Sequence, residues 1–174
     1  MKIQHGLALL MTAMMLIAVT ASAKIATDYD HKANFAQYKT YSWAKVETAN
    51  SLWDQRVKDA VNSQLAARGW SQVPADGDVV VSARGVIRDQ QQLNTFYNGF
   101  GGRRFGGFGS STTTVDTYKV GSLIVDMFDG STKNLLWRGM ASDTLSAKED
   151  KNIKSLDKNV QKMFEHFPPG SNRK

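Results

Sequence analysis

Two apolar runs, Leu123–Phe128 and Leu135–Met140, flank the polar stretch Asp129-Gly130-Ser131-Thr132-Lys133-Asn134. Strand-like runs around an Asp-Gly pair predict a β-hairpin, the Asp-Gly step tolerating the positive φ of a tight reversal. Upstream, Val79, Val81, Ala83, Gly85 and Ile87 fall on one face, with Ser82, Arg84 and Arg88 opposite. A period of two over Val79–Arg88 predicts a strand in an antiparallel sheet with one covered and one wetter face. The period changes in Ser51–Arg68, where Val57, Val61 and Leu65 recur every four residues with Ala60 beside them. Arg56, Lys58, Asp59 and Asn62 face outward, so the segment reads as an amphipathic helix. Ser51 is its expected N-cap and Gly69 its left-handed terminator. A second helix begins near Lys148. Its apolar stripe is Ile153, Leu156, Val160, Met163, Phe164 and Phe167, and Pro168-Pro169 stops it.

Shorter signals fill the gaps. Ile25–Tyr29, Thr40–Trp43, Trp70–Val73 and the β-branched run Thr112–Val120 read as strands. Asn34–Tyr38, anchored by Phe35 and Tyr38, and Pro74–Asp78 read as turns. Gln90-Gln91-Gln92 looks like a polar exit from the sheet. Six of the thirteen residues in Tyr97–Gly109 are glycine, which makes ordering costly and predicts a mobile loop. The sum is an α+β fold: a two-layer sandwich with a mainly antiparallel sheet of about six or seven strands and two helices on one face.

Composition changes the picture at the N-terminus. Lys2 and His5 precede the apolar stretch Leu7–Val19, and Ala21-Ser22-Ala23 has the form of a signal-peptidase site. The apolar core is too short to span a bilayer interior of about 30 Å, so residues 1–23 are expected to be a cleaved signal peptide. Lys24–Lys174, 151 residues, then form one domain able to bury its own core. The chain has no cysteine, which excludes disulfides, lipidation at cysteine and thiolate metal sites. The expected location is the periplasm, with outer-membrane association but no lipid anchor. The formal charge is +6, or about +5 without Lys2, and is interspersed apart from Arg103-Arg104 and a basic tail. That balance suits weak contact with an anionic membrane surface and does not demand a nucleic acid.

Candidate chemistry is sparse. His31 and His166 are the histidines left after the signal segment, and surface roles fit both. Asp28 and Asp30 sit at i, i+2 on one strand face, a spacing suited to a hard cation or to a soluble sheet edge. Asp126 interrupts an apolar run on the face of Ile124 and Phe128 and needs a partner; cross-strand Arg138 or Lys119 would serve. A structural pair is favoured over a catalytic base. Gly99-Phe100-Gly101 does not complete a phosphate-binding glycine motif, because position 104 is arginine. No cofactor signature is present. The aromatic and arginine side chains around the glycines, Tyr97, Phe100, Arg103, Arg104, Phe105 and Phe108, are instead candidate partner contacts.

A set of short motifs resembles one family across nearly the whole chain after residue 23. These are Asp28-Tyr29-Asp30, Phe35 with Tyr38-Lys39-Thr40-Tyr41-Ser42-Trp43, and Ala60 with Gln64-Leu65-Ala66-Ala67-Arg68-Gly69-Trp70. Asp78-Val79-Val80-Val81, Gly121–Asp126, Leu136-Trp137-Arg138-Gly139 and Phe167-Pro168-Pro169 complete it. The chain resembles the bacterial family DUF4136, a domain of unknown function found in exported envelope proteins that are often lipoproteins. The resemblance implies a periplasmic or outer-membrane-associated α+β domain with no established activity. It also implies a glycine- and aromatic-rich insert where Tyr97–Gly109 lies. The chain departs from the lipoprotein form in lacking the acylated cysteine. The expected function is a non-catalytic envelope binding or adaptor module whose partner is an envelope protein or polymer. The alternative is a hydrolase of an envelope polymer acting through Asp126 or Asp28/Asp30.

Overall fold

The computed structural model describes residues 23–98 and 110–169. The elements run β1 (Lys24–Tyr29), β2 (Thr40–Glu47), α1 (Ser51–Ala66), β3 (Ser71–Gln72), β4 (Val79–Asn98), β5 (Ser110–Asp129), β6 (Leu135–Thr144) and α2 (Glu149–Met163), with a 3-10 turn at Phe35–Gln37. The six strands form one sheet in the order β1-β6-β5-β4-β2-β3. Pairings are antiparallel except those of β2 with β3 and β4, which are parallel. A parallel neighbour cannot be reached by a tight turn, and α1 supplies the crossover from β2 to β3. Both helices lie on one face, giving the expected two-layer α+β sandwich.

Period-two alternation decides what that face buries. Val79, Val81 and Ala83 of β4, Leu123, Val125 and Met127 of β5, and Trp137 and Ala141 of β6 point inward and are buried. Val57, Val61 and Leu65 meet them from α1, and Val160 and Met163 from α2. The α2 stripe is not uniformly buried, since Ile153 and Leu156 stay partly exposed near the helix start. Gly139 marks the closest approach of α2 to the sheet, where a Cβ would collide with Met163 and the Trp137 ring. At one end the core becomes aromatic. Phe167 lies 5.3–5.8 Å, centroid to centroid, from Phe164, Trp70, Trp137 and Phe35, in edge-on contacts of the favoured kind.

Several boundaries differ from those the sequence suggests. Asn50, not Ser51, caps α1: its Oδ1 accepts the N–H groups of Leu52 (3.1 Å) and Trp53 (3.2 Å). The amide reaches the exposed donors of the first turn as well as a hydroxyl would. Gly69 has φ 78°, as its terminating role requires. The second helix ends at Met163, before the prolines. Arg68 takes up carbonyls freed there, donating from Nε to Phe167 O (2.7 Å) and from Nη2 to Phe164 O. The largest correction concerns β4 and β5. Gln90-Gln91-Gln92 does not end its strand, and Thr112–Val120 is continuous with the hairpin strand it leads into; each strand runs 20 residues.

Candidate functional site

The outward face of the sheet holds two of the carboxylates singled out above, Asp28 and Asp126. Register places Asp28, Arg138, Asp126 and Ser82 in one row across β1, β6, β5 and β4. Arg138 grips Asp126 with two bonds, Nε to Oδ1 at 2.6 Å and Nη2 to Oδ2 at 2.8 Å. This fork geometry is the strong form of a carboxylate pair. Bonding to Asp126 and its charge, with a smaller contribution from Asp28, raise the Arg138 pKa. A carboxylate with both oxygens held by a guanidinium is poorly placed to take a proton from a substrate. Lys119, the other candidate partner, pairs instead with Asp89 at 3.1 Å.

Asp28 and Asp30 do not share a strand face. β1 ends at Tyr29, and Asp30 lies in the following turn, where Oδ1 accepts the Lys32 N–H at 2.9 Å. Aspartate competes well for local N–H groups in turns, and the side chain does so here while the Asp30 N–H still bonds Leu136 O of β6 at 2.8 Å. No cluster of three metal-ligating side chains occurs among the described residues. His31 is exposed and lies 4.3 Å from the Tyr29 ring; His166 is exposed beyond the end of α2.

Two further carboxylates are strongly engaged, and both hold turns. Asp78 Oδ2 accepts the N–H groups of Lys39 and Thr40, each at 2.9 Å, which lowers its pKa. Asp129 Oδ1 accepts from Thr132 N–H (2.7 Å) and Ser131 N–H (2.9 Å), and its Oδ2 accepts from the Tyr38 hydroxyl (2.8 Å). The Thr132 N–H and then the Tyr38 hydroxyl are the main causes that hold its pKa at about 2, against an ordinary 3.8. The folded value lies below the unfolded one, so the stabilisation is complete above about pH 5 and fades as pH falls from 4 toward 2. Discounted for solvent screening, it amounts to about 1 kcal/mol. Urea midpoints of the wild type and Asp129→Asn should therefore differ near neutrality and converge near pH 2. A gap that persists unchanged at low pH would contradict the assignment.

Of the candidate contact residues, Tyr97 lies in β4 with Ser111 as its register partner, so it is a strand residue and not part of a loop. Phe100, Arg103, Arg104, Phe105 and Phe108 lie outside the described residues. What the structure adds is the ribbon beneath them. Beyond the Glu47–Arg84 pair on one side, and the Val120–Thr144 pair with the adjoining Leu145 N–H to Lys119 O bond (2.8 Å) on the other, β4 and β5 pair only with each other among the described residues. Their ladder continues to Asn98–Ser110, roughly 30 Å past the sheet at about 3.3 Å per residue. Along it Leu93 and Val115 face each other in register, 70% and 55% exposed. The sequence hides the β4 half of this arm because Gln90-Gln91-Gln92 carries no apolar alternation, while the β5 half shows as the β-branched run Thr112–Val120.

On the helix side, an open cleft of about 200 Å³ lies between α1, α2 and the sheet. Trp53, Val57, Leu123, Ala141, Leu145 and Leu156 supply its apolar walls. Sequence reasoning missed it because it is made by missing side chains, at Gly85 and Gly121 on adjacent strands. A larger groove, about 580 Å³, runs beside β1 and the end of α2 and is bordered by Ala23 and Pro169, where the described segments end. No described helix is long and apolar enough to cross a membrane.

Comparison with known proteins supports the fold. No curated protein matches the chain. A PDZ domain protein from Parabacteroides distasonis superposes with a TM-score of 0.60 at 12% identity, over 83% of this chain and 35% of that one. This chain thus spans about a third of that structure. The PelC dodecamer from Paraburkholderia phytofirmans (TM-score 0.47, 13% identity, 82% of this chain and 97% of that one) is a looser match. So is lipoprotein GNA1162 from Neisseria meningitidis (0.41, 12%, 74% and 99%). At these identities the likeness concerns the fold alone, and the two looser superpositions add nothing to it. The family model described as "Domain of unknown function (DUF4136)" matches residues 25–169, and the chain belongs to that family.

Proposed function

We propose that this chain is a non-catalytic binding or adaptor module of the bacterial cell envelope, and that the β4–β5 ribbon is its contact element. The observation that carries the reading is the ribbon itself. A two-stranded ribbon in water is marginal without a third strand or a packing surface. Here about ten residue pairs project past the sheet, with both edges free among the described residues beyond Lys119, whose carbonyl accepts the Leu145 N–H (2.8 Å), and with Leu93 and Val115 exposed. Unpaired edges and exposed apolar side chains are what an added strand or an apolar partner surface would use. Export rests on the leader-like N-terminus. Protein recovered from its bacterial host should have the mass of a chain beginning at Lys24, and retention of residues 1–23 would contradict export by cleavage.

Contact through the ribbon is tested by shortening it. Replacing residues 91–117 with an Asn-Gly turn leaves the Asp89–Lys119 ion pair (3.1 Å) to close a hairpin of ordinary length. Stability should change by under about 1 kcal/mol, because loop length weighs weakly and the removed part buries little. Retention on isolated envelope material should fall sharply. Unchanged retention would remove the ribbon from the function. The hydrolase alternative gains no support, since Asp126 is held by Arg138 and Asp30 by its own turn.

A further inference from the structure

The cleft between the helices has a construction of its own. Gly85 and Gly121 occupy inward-facing positions of β4 and β5, near each other in the ladder because Gly85 pairs with Leu123 and Gly121 with Ile87. Side chains at both positions would fill the space below α1 and α2. Instead the rim leans over bare backbone: a Cβ at Gly121 would lie 2.8 Å from Leu145 Cδ2, and one at Gly85 3.1 Å from Thr48 Cγ2. Trp53 forms one wall. Its ring is covered by Arg56, whose guanidinium carbon sits 4.9 Å from the ring centroid, and Arg56 bonds Glu149 at 2.6 Å, tying α1 to α2. At the sheet end, Asp143 Oδ2 accepts from Asn159 Nδ2 (3.2 Å), and Asn159 is buried.

Size and charge limit what such a cleft can hold. Its volume of about 200 Å³ exceeds the roughly 150 Å³ of an apolar protein cavity that binds benzene. The charged group lining it is the Asp143 carboxylate, and no cation bonds that carboxylate among the described residues. An anionic head group would meet like charge there, while a neutral ring would lie against Trp53, Val57 and Leu156. We propose that this cleft is a binding site for a neutral small molecule bearing one or two fused rings. The site is separate from the ribbon and stands whether or not the ribbon makes contacts.

The test uses the full chain with indole as probe and indole-3-acetate as its anionic counterpart. Indole should give saturable amide shifts at Gly85 and Gly121 in ¹H–¹⁵N spectra, and indole-3-acetate should bind at least tenfold more weakly. Ser155→Leu, which fills the cleft from α2, should weaken indole at least tenfold without lowering the melting temperature. Ala49→Leu fills it from the exposed loop before α1 and serves if the first variant folds poorly. The proposal is overturned by absence of saturation up to the solubility of indole, by equal binding of the anion, or by undiminished binding in the folded filled variant. A cleft that takes an aromatic peptide side chain but not free indole overturns it too, in favour of a docking groove.

Discussion

Trp137→Ala and Phe164→Ala should each lower stability by about 3–5 kcal/mol, the range for truncating large buried aromatics. Both side chains are almost fully buried, and their rings are 5.0 Å apart, one on β6 and the other just past α2. Each also faces Phe167, which touches Trp70 and Phe35, so one lost ring opens space bordered by several rigid neighbours. Rigid aromatic walls collapse poorly into a void, which puts the cost at the upper end. Lys148→Ala is the control: it is exposed, and although it precedes α2 its side chain makes no capping bond. Denaturant melts of the three variants decide the matter. Near-wild-type midpoints for both aromatic variants would mean that the end of α2 is not packed on the sheet.

Gly130→Ala should cost about 2–3 kcal/mol, although the residue lies in a surface turn. Its Cβ would strike the carbonyl oxygen of Gly77 and come within 2.9 Å of that of Asp78. Gly130 N–H also donates to Asp78 O at 2.7 Å, so the two turns are tied at close range. Backbone atoms cannot rotate aside as side-chain ends do, and overpacking is relieved only by shifting both turns. Gly77 is under the same constraint, its Cβ falling 2.5 Å from Ser42 N. A midpoint shift too small to resolve in Gly130→Ala would show that the turns separate easily. Gly69→Ala, with open space around its Cβ but φ 78°, offers a contrast in which only conformation is at stake.

Gly130 shows how a correct element is predicted for an incomplete reason. The hairpin was legible from its apolar runs and Asp-Gly step, yet the left-handed residue in that turn is Lys133, at φ 63°. The glycine is needed for clearance against a turn 53 positions earlier in the chain, a demand that local pattern does not register. The Asp126–Arg138 pair was legible because hairpin register follows from the positions of the apolar runs. Asp28 joins that row only through the pairing of β1 with β6, a long-range choice with no local signature. The parallel placement of β2 beside β4 is equally non-local. The β4 half of the ribbon was misread as an exit because alternation signals a strand only when one face is buried, and past Arg88 neither face lies against a helix; the β5 half was legible from its β-branched run. The cleft left as its trace two inward glycines, which period-two reasoning counts as apolar core.

The central claim, that contact runs through the ribbon, is tested most directly by placing a photo-reactive side chain along it. Leu93→benzoylphenylalanine and Val115→benzoylphenylalanine put the probe at exposed sites on the arm. Asp59→benzoylphenylalanine puts it on the exposed side of α1 as a control. Irradiated in the intact envelope of the native host, both arm positions should give the same discrete high-mass adduct, and position 59 should give none. Adducts from position 59 with none from 93 or 115 would contradict the account and move the contact surface to the helical layer.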